Sequence, residues 1–263
     1  MIRSLRIPAI IVVVQVIVGC ASTANDPGPT GNSGMDRVSP VRTAEINTRL
    51  GIGYFERDQL QVAMEKLQTA LEKDPEHVPA HVTLAVIYER LGDERRAERH
   101  YERAVRYAPN DGATLNHYGA YLCQQGDYDQ ADEYFERATR DPFYDTPEVA
   151  LTNSGSCARR NGDLDRAERQ LRNALEIDAA YPDALYQLSR VYLEKDDPMR
   201  ARAFLQRFEA TGQTEPGALA LGYRIEQELG NVTVANQYLA RLEKDYPDSS
   251  EARELRQQNR DHD

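Results

Sequence analysis

Small and apolar residues recur along this chain at helical spacing, and the whole pattern returns on a longer period. Ala63, Ala97 and Ala131 lie 34 residues apart, Ala167 follows after 36, and Ala201 and Ala235 follow at 34 and 34. Four residues beyond each alanine stands a large apolar side chain: Leu67, Tyr101, Phe135, Leu171, Leu205 and Leu239. Seven beyond stand Ala70, Ala104, Ala138 and Ala174, then Phe208 and Leu242. Apolar residues at i, i+4 and i+7 mark one buried stripe of a helix. Upstream, Leu50-Gly51-x-x-Tyr54, Leu84-Ala85-x-x-Tyr88, Tyr118-Gly119-x-x-Leu122 and Leu188-Ser189-x-x-Tyr192 share one spacing, with Ser154-Gly155-x-x-Ala158 a weaker copy. Each unit therefore predicts two helices, with small residues where they approach closely.

The punctuation agrees. Gly92-Asp93, Gly126-Asp127, Gly162-Asp163 and Gly230-Asn231 sit between the halves. Glycine ends a helix in the left-handed conformation, and Asp or Asn caps the next one. Pro75, Pro109, Pro142 and Pro247 close units, because proline cannot continue a helix. This 34-residue grammar resembles the tetratricopeptide repeat. The resemblance implies an all-α, right-handed superhelical solenoid of about six helical hairpins plus a C-terminal capping helix. The expected units are 44–77, 78–111, 112–147, 148–181, 182–215 and 216–249, within a solenoid spanning 43–257. The two-residue insertion between the third and fourth units falls in 141–147. The sixth unit departs most, with Gly222-Tyr223 where Leu-Gly is expected, as suits a terminal repeat. Residues 258–263 are expected to be a disordered tail.

The N-terminus has another character. Arg3 and Arg6 precede an apolar run from Ile7 to Val18 that is too short to span a bilayer. This is the form of a secretory signal peptide, 1–19. Ile17-Val18-Gly19-Cys20 resembles the bacterial lipobox, which implies cleavage before Cys20 and lipidation of that cysteine. Ala21-Ser22, with no Asp after the cysteine, resembles signals that sort to the outer membrane, so the expected location is its periplasmic face, lipid-anchored. Residues 20–42 are rich in Pro, Gly, Ser and Asn and read as a flexible linker with a reach of about 25 Å.

Charge narrows the partners. The 263 residues carry 43 acidic and 32 basic side chains, a formal charge of −11. That balance argues against nucleic acid, whose phosphates need clustered Lys and Arg. No phosphate loop, HExxH or nucleophile elbow is present, so neither an enzyme, a cofactor nor a small-molecule substrate is expected. His77 and His81 are four apart with Pro79 between them and read as exposed loop-edge residues. Cys123 and Cys157 fall near the ends of first helices in neighbouring units. They are either two separate buried thiols or a disulfide joining unit three to unit four.

Repeat stacks of this kind bind partners on a concave face lined by the first helices. The candidate groove residues are Thr48, Ile52 and Phe55, then Val82 and Val86, Asn116 and Ala120, Thr152, Asn153 and Ser156, and Tyr186 and Arg190. The apolar start and polar continuation suit an amphipathic protein segment, and asparagine amides can pair with both groups of an extended peptide.

The lipobox, linker and six repeats, together with Asn116-x-Tyr118-Gly119-x-Tyr121-Leu122-Cys123 and Asp141-Pro142-x-Tyr144, resemble the PilF/PilW family of type IV pilus biogenesis and stability lipoproteins. The paired cysteines fit that family. The resemblance implies a pilotin that binds the pilus secretin subunit and promotes its localisation and multimer assembly. The alternative is a general periplasmic scaffold for outer-membrane protein assembly or cell-wall enzyme regulation.

Overall fold

The computed structural model describes residues 39–262, with side chains through 258. The expected signal peptide, Cys20 and most of the linker lie outside the described residues. The described residues form thirteen α-helices and no strand. Six hairpins follow in order: α1 (Pro40–Glu56) with α2 (Leu60–Lys73), α3 (Val78–Arg90) with α4 (Glu94–Tyr107), α5 (Gly112–Gln125) with α6 (Tyr128–Thr139), α7 (Pro147–Arg160) with α8 (Leu164–Ile177), α9 (Pro182–Glu194) with α10 (Pro198–Ala210), and α11 (Pro216–Glu228) with α12 (Val232–Asp245). A last helix, α13 (Ser250–His262), covers α11 and α12.

Local chemistry sets the ends. Asp93, Asp163 and Asp197 each accept the backbone N–H of an arginine three residues on, at 2.9–3.0 Å, satisfying a donor with no partner inside the helix. Gly92, Gly126, Gly162 and Gly230 adopt positive φ between the halves of their hairpins. Hairpins one and five lack that glycine, and Asp58 (φ 61°) and Asp196 (φ 55°) take the left-handed conformation instead.

The repeating alanines are the contact points. Ala63, Ala97, Ala131, Ala167, Ala201 and Ala235 are all 0% exposed. Opposite them the first helices carry small residues for a steric reason. A Cβ on Gly51 or Gly155 would lie 2.6 Å from Cγ of Leu67 or Leu171, and one on Gly119 would lie 3.0 Å from the Phe135 ring. Ser189 occupies the same place in hairpin five and uses its hydroxyl to donate to the Ala201 carbonyl at 2.8 Å.

Two boundaries differ from expectation. Helix α1 begins at Pro40, inside the stretch assigned to the linker, because Ser39 accepts from Arg42 N at 3.2 Å and proline suits the first helical position. Helix α13 continues to His262, through the segment expected to be a disordered tail. Hairpin six shows the expected departure: α11 and its connection to α12 repeat those of hairpin five 34 residues on, so Gly222, which is buried, and Tyr223 stand in the places of Leu188 and Ser189. Gly222 packs on Tyr238.

The apolar core is not continuous in one block. One cluster runs from Ala44 through Phe135 and takes in Cys157, and a second runs from Ala158 to Ile225. Cys123 and Cys157 are joined by a disulfide, with their Cα atoms 5.8 Å apart, which ties α7 of hairpin four into the first cluster, next to the start of the second. The insertion between hairpins three and four is pinned: Asp141 accepts from Gly112 N at 2.8 Å and from Phe143 N at 2.9 Å.

Candidate functional site: the face of the first helices

The odd-numbered helices α1 to α11 each touch the next odd-numbered helix, whereas no two of the even-numbered helices α2 to α12 touch. The row of first helices therefore has the tighter spacing and forms the inner, concave side of the stack. No ligand class is dictated by strong chemistry there. Among the described residues, no group of three or more His, Cys, Asp or Glu is placed to hold a metal ion.

The candidate groove residues divide into two sets. Ile52, Phe55, Val82, Val86, Ala120, Asn153, Ser156, Tyr186 and Arg190 are partly exposed. Thr48 (3%), Asn116 (6%) and Thr152 (4%) are buried and correct the expectation that they stand open in the groove. Their polar groups are largely used inside the protein. Thr152 Oγ1 donates to the Glu148 carbonyl at 2.7 Å, as threonines in helices commonly do. Asn116 Oδ1 accepts from Asn153 Nδ2 at 3.0 Å, so the two asparagines link α5 to α7 rather than waiting for a peptide. The packing of neighbouring first helices, which no single-helix periodicity encodes, closes these positions.

The remaining accessible strip is apolar at its start and charged at its end. Ile52, Phe55, Val82 and Val86 lie on α1 and α3. On α9, the Arg190 guanidinium sits 5.8 Å from the Tyr186 ring centroid. Burial raises the Tyr186 hydroxyl above its ordinary pKa, with Arg190 opposing and Glu215 and Glu251 adding to the shift. Glu215 is itself raised by burial and by the Asp183 and Glu251 carboxylates. Arg159, on α7, bridges to Glu194 at 2.7 Å. Arg159 and the carboxylates around Tyr186 were not among the expected site residues. The arginine-rich signal at 159–160 was visible but reads equally as a solvated helix face.

His81 also differs from expectation. It is 1% exposed rather than at a loop edge, because α3 begins at Val78 and turns this ring inward. Its Nε2 faces the Pro75 carbonyl at 3.0 Å and must carry the proton, which leaves Nδ1 to accept from His100 Nδ1–H at 2.9 Å. Burial lowers both pKa values, that of His100 to about 4, with the neighbouring His81 as the next cause. Both rings are therefore neutral when folded, whereas an unfolded histidine titrates near 6.5. The unfolded chain binds more protons below that value, so the stability this pair contributes is complete above pH 6.5. It is lost as pH falls toward 4. The melting temperature is expected to drop across that window, and to drop less in His100→Gln. An unchanged acid profile in that variant would remove the pair from the account.

Comparison with known proteins follows the same lines. Tetratricopeptide repeat models match residues 54–116 and 158–225, 119–143, and 219–249. The chain is 25% identical over 239 residues to the type IV pilus assembly protein PilF of Pseudomonas aeruginosa, covering 91% of this chain and 93% of that one. It is 30% identical over 135 residues to an uncharacterized protein of Haemophilus influenzae, covering 51% and 75%. The crystal structure of PilW, described as a widely conserved type IV pilus biogenesis factor, superposes with a TM-score of 0.75 at 27% identity, over 81% of this chain and 97% of that one. The chain belongs to the tetratricopeptide repeat proteins. Within them it is a PilF/PilW-like protein.

Proposed function

We propose that this chain is an outer-membrane lipoprotein that binds the type IV pilus secretin and promotes its multimer assembly. The observation that carries the reading is the match to PilF and PilW along nearly the whole of each protein, repeats and connections together, rather than over a few generic repeats. The chemistry supports a non-covalent role. The face of first helices offers an apolar strip followed by Tyr186 and Arg190, which suits a protein segment that is apolar at one end and polar at the other. Cys20 supplies the membrane attachment, since acyl chains contribute about 0.8 kcal/mol per buried CH₂ and two or more make a stable anchor.

The test is direct binding. Purified secretin subunit is titrated against the wild-type chain and against Val86→Glu/Ile52→Glu. The reading expects a saturable complex that weakens at least about tenfold in the double variant, as loss of a desolvated apolar contact does. Absence of any complex with the wild type would overturn it.

A further inference from the structure

Repeats two and five show how neighbouring hairpins cover one another. Ala80, Leu84 and Ile87 on α3, and Ala184, Leu188 and Val191 on α9, are all at or below 1% exposed. The same three places on α1 hold Ile46, Leu50 and Gly53. Ile46 is 43% exposed and Leu50 is 47% exposed, and a Cβ on Gly53 would meet nothing within 4 Å. Hairpin one lacks only a preceding hairpin, so that is what covers these positions elsewhere. A terminal repeat in a self-sufficient stack presents a polar outer face. The other end of this stack obeys that rule, where α13 buries Ala252 (0%) and Leu255 (1%) against the last hairpin. At the first end, no described residue covers Ile46 and Leu50 in this way.

The charge on that face is distinctive. Arg42, Arg49 and Arg57 fall on the same helical stripe as Ile46, Leu50 and Gly53, opposite the buried Ala44, Thr48 and Gly51. All three arginines are exposed, and none enters an ion pair among the described residues, although the protein as a whole carries −11. The nearby Asp58 pairs with Arg90 at 2.8 Å. An aliphatic ridge beside three uncommitted guanidinium groups complements an apolar stripe flanked by carboxylates. The absent side chain at Gly53 permits the close approach that helix packing needs.

We propose that the outer face of α1 docks an acidic amphipathic helix of a partner protein, seated where the second helix of a preceding repeat would lie. The inference is independent of the pilus reading. Residues 21–38 do not fit this seat, since they are rich in Pro and Gly and have no apolar periodicity.

The experiment uses fluorescent peptides of about 18 residues with leucines at i, i+4, i+7 and i+11, flanked by glutamates. One control replaces the glutamates with lysines, and another replaces the leucines with serines. Anisotropy with the full chain is expected to show saturable binding of the glutamate peptide, at least about tenfold tighter than either control. Arg49→Glu and Leu50→Glu each weaken it by a similar factor, as does Gly53→Leu, which fills the open space. The melting temperatures of Arg49→Glu and Leu50→Glu stay near the wild-type value, because these side chains are exposed, and that of Gly53→Leu does not fall, because leucine is the better helix former, while Arg190→Ala leaves peptide binding unchanged. Equal binding of the lysine peptide would overturn the proposal, as would insensitivity to the α1 variants. So would wild-type dimers that Leu50→Glu dissociates, which assign the face to a second copy, or binding seen only with phosphatidylglycerol vesicles, which assigns it to lipid.

Discussion

Replacing both Cys123 and Cys157 with alanine is expected to lower the unfolding free energy by about 3–4 kcal/mol and to divide one unfolding transition into two. The magnitude follows from the loop closed by the bridge, with its two cysteines 34 residues apart. In the chain-entropy account, a crosslink of that span removes about this much from the unfolded ensemble at 25 °C. The division into two transitions follows from position. In a repeat stack, stability is roughly a sum of hairpin terms and nearest-neighbour interface terms. The apolar clusters on either side meet at this point, one ending with Cys157 and the other beginning with Ala158. Other ties across the junction include the Asn116–Asn153 hydrogen bond, worth about 0.5–1.5 kcal/mol, the Arg166–Asp132 ion pair and the packing of Leu115 and Ala138 with Ala150. Calorimetry of the double variant, with circular dichroism as a second probe, reads both effects. A single transition with an unchanged midpoint would show that the bridge is dispensable to the junction.

Phe135→Ala should cost about 3–5 kcal/mol, the range for removing a buried aromatic ring. The ring is 1% exposed and lies where a side chain on Gly119 would have to go. Two consequences distinguish this from a generic core deletion. Gly119→Val alone should also destabilise, because its Cβ would meet the Phe135 ring at 3.0 Å and the Ala131 carbonyl at 3.1 Å. Combined, the two substitutions should cost less than their sum, since removing the ring vacates the space the valine needs. Denaturant midpoints of the four proteins in the cycle measure the coupling. Strict additivity would mean that the small residue is retained for some reason other than this contact.

Much of this architecture was legible because the repeat imposes the same few constraints six times. Ala63 and its equivalents are recognisable as contact points from spacing alone, and the glycine-aspartate pairs mark turns by a mechanism that needs no tertiary information. Where the reading slipped, a local signal met a competing neighbour. Leu50 fits the apolar pattern as well as Leu84 does, yet it is exposed, because burial at that position comes from the preceding hairpin and hairpin one has none. Asn116 and Thr152 carry the polar character expected of a groove, but contact between adjacent first helices closes them. His81 looked like a loop residue because Pro79 disguised the start of α3. The fold is written in period and punctuation, whereas the site depends on which faces remain uncovered after stacking.

The most direct test of the central claim is the amount of secretin multimer in the outer-membrane fraction of cells lacking this protein, complemented with the wild type or with Cys20→Ala. The account predicts that multimers are lost in the deletion, restored by the wild type, and not restored to the outer membrane by Cys20→Ala. Normal secretin multimers in the deletion strain would contradict it.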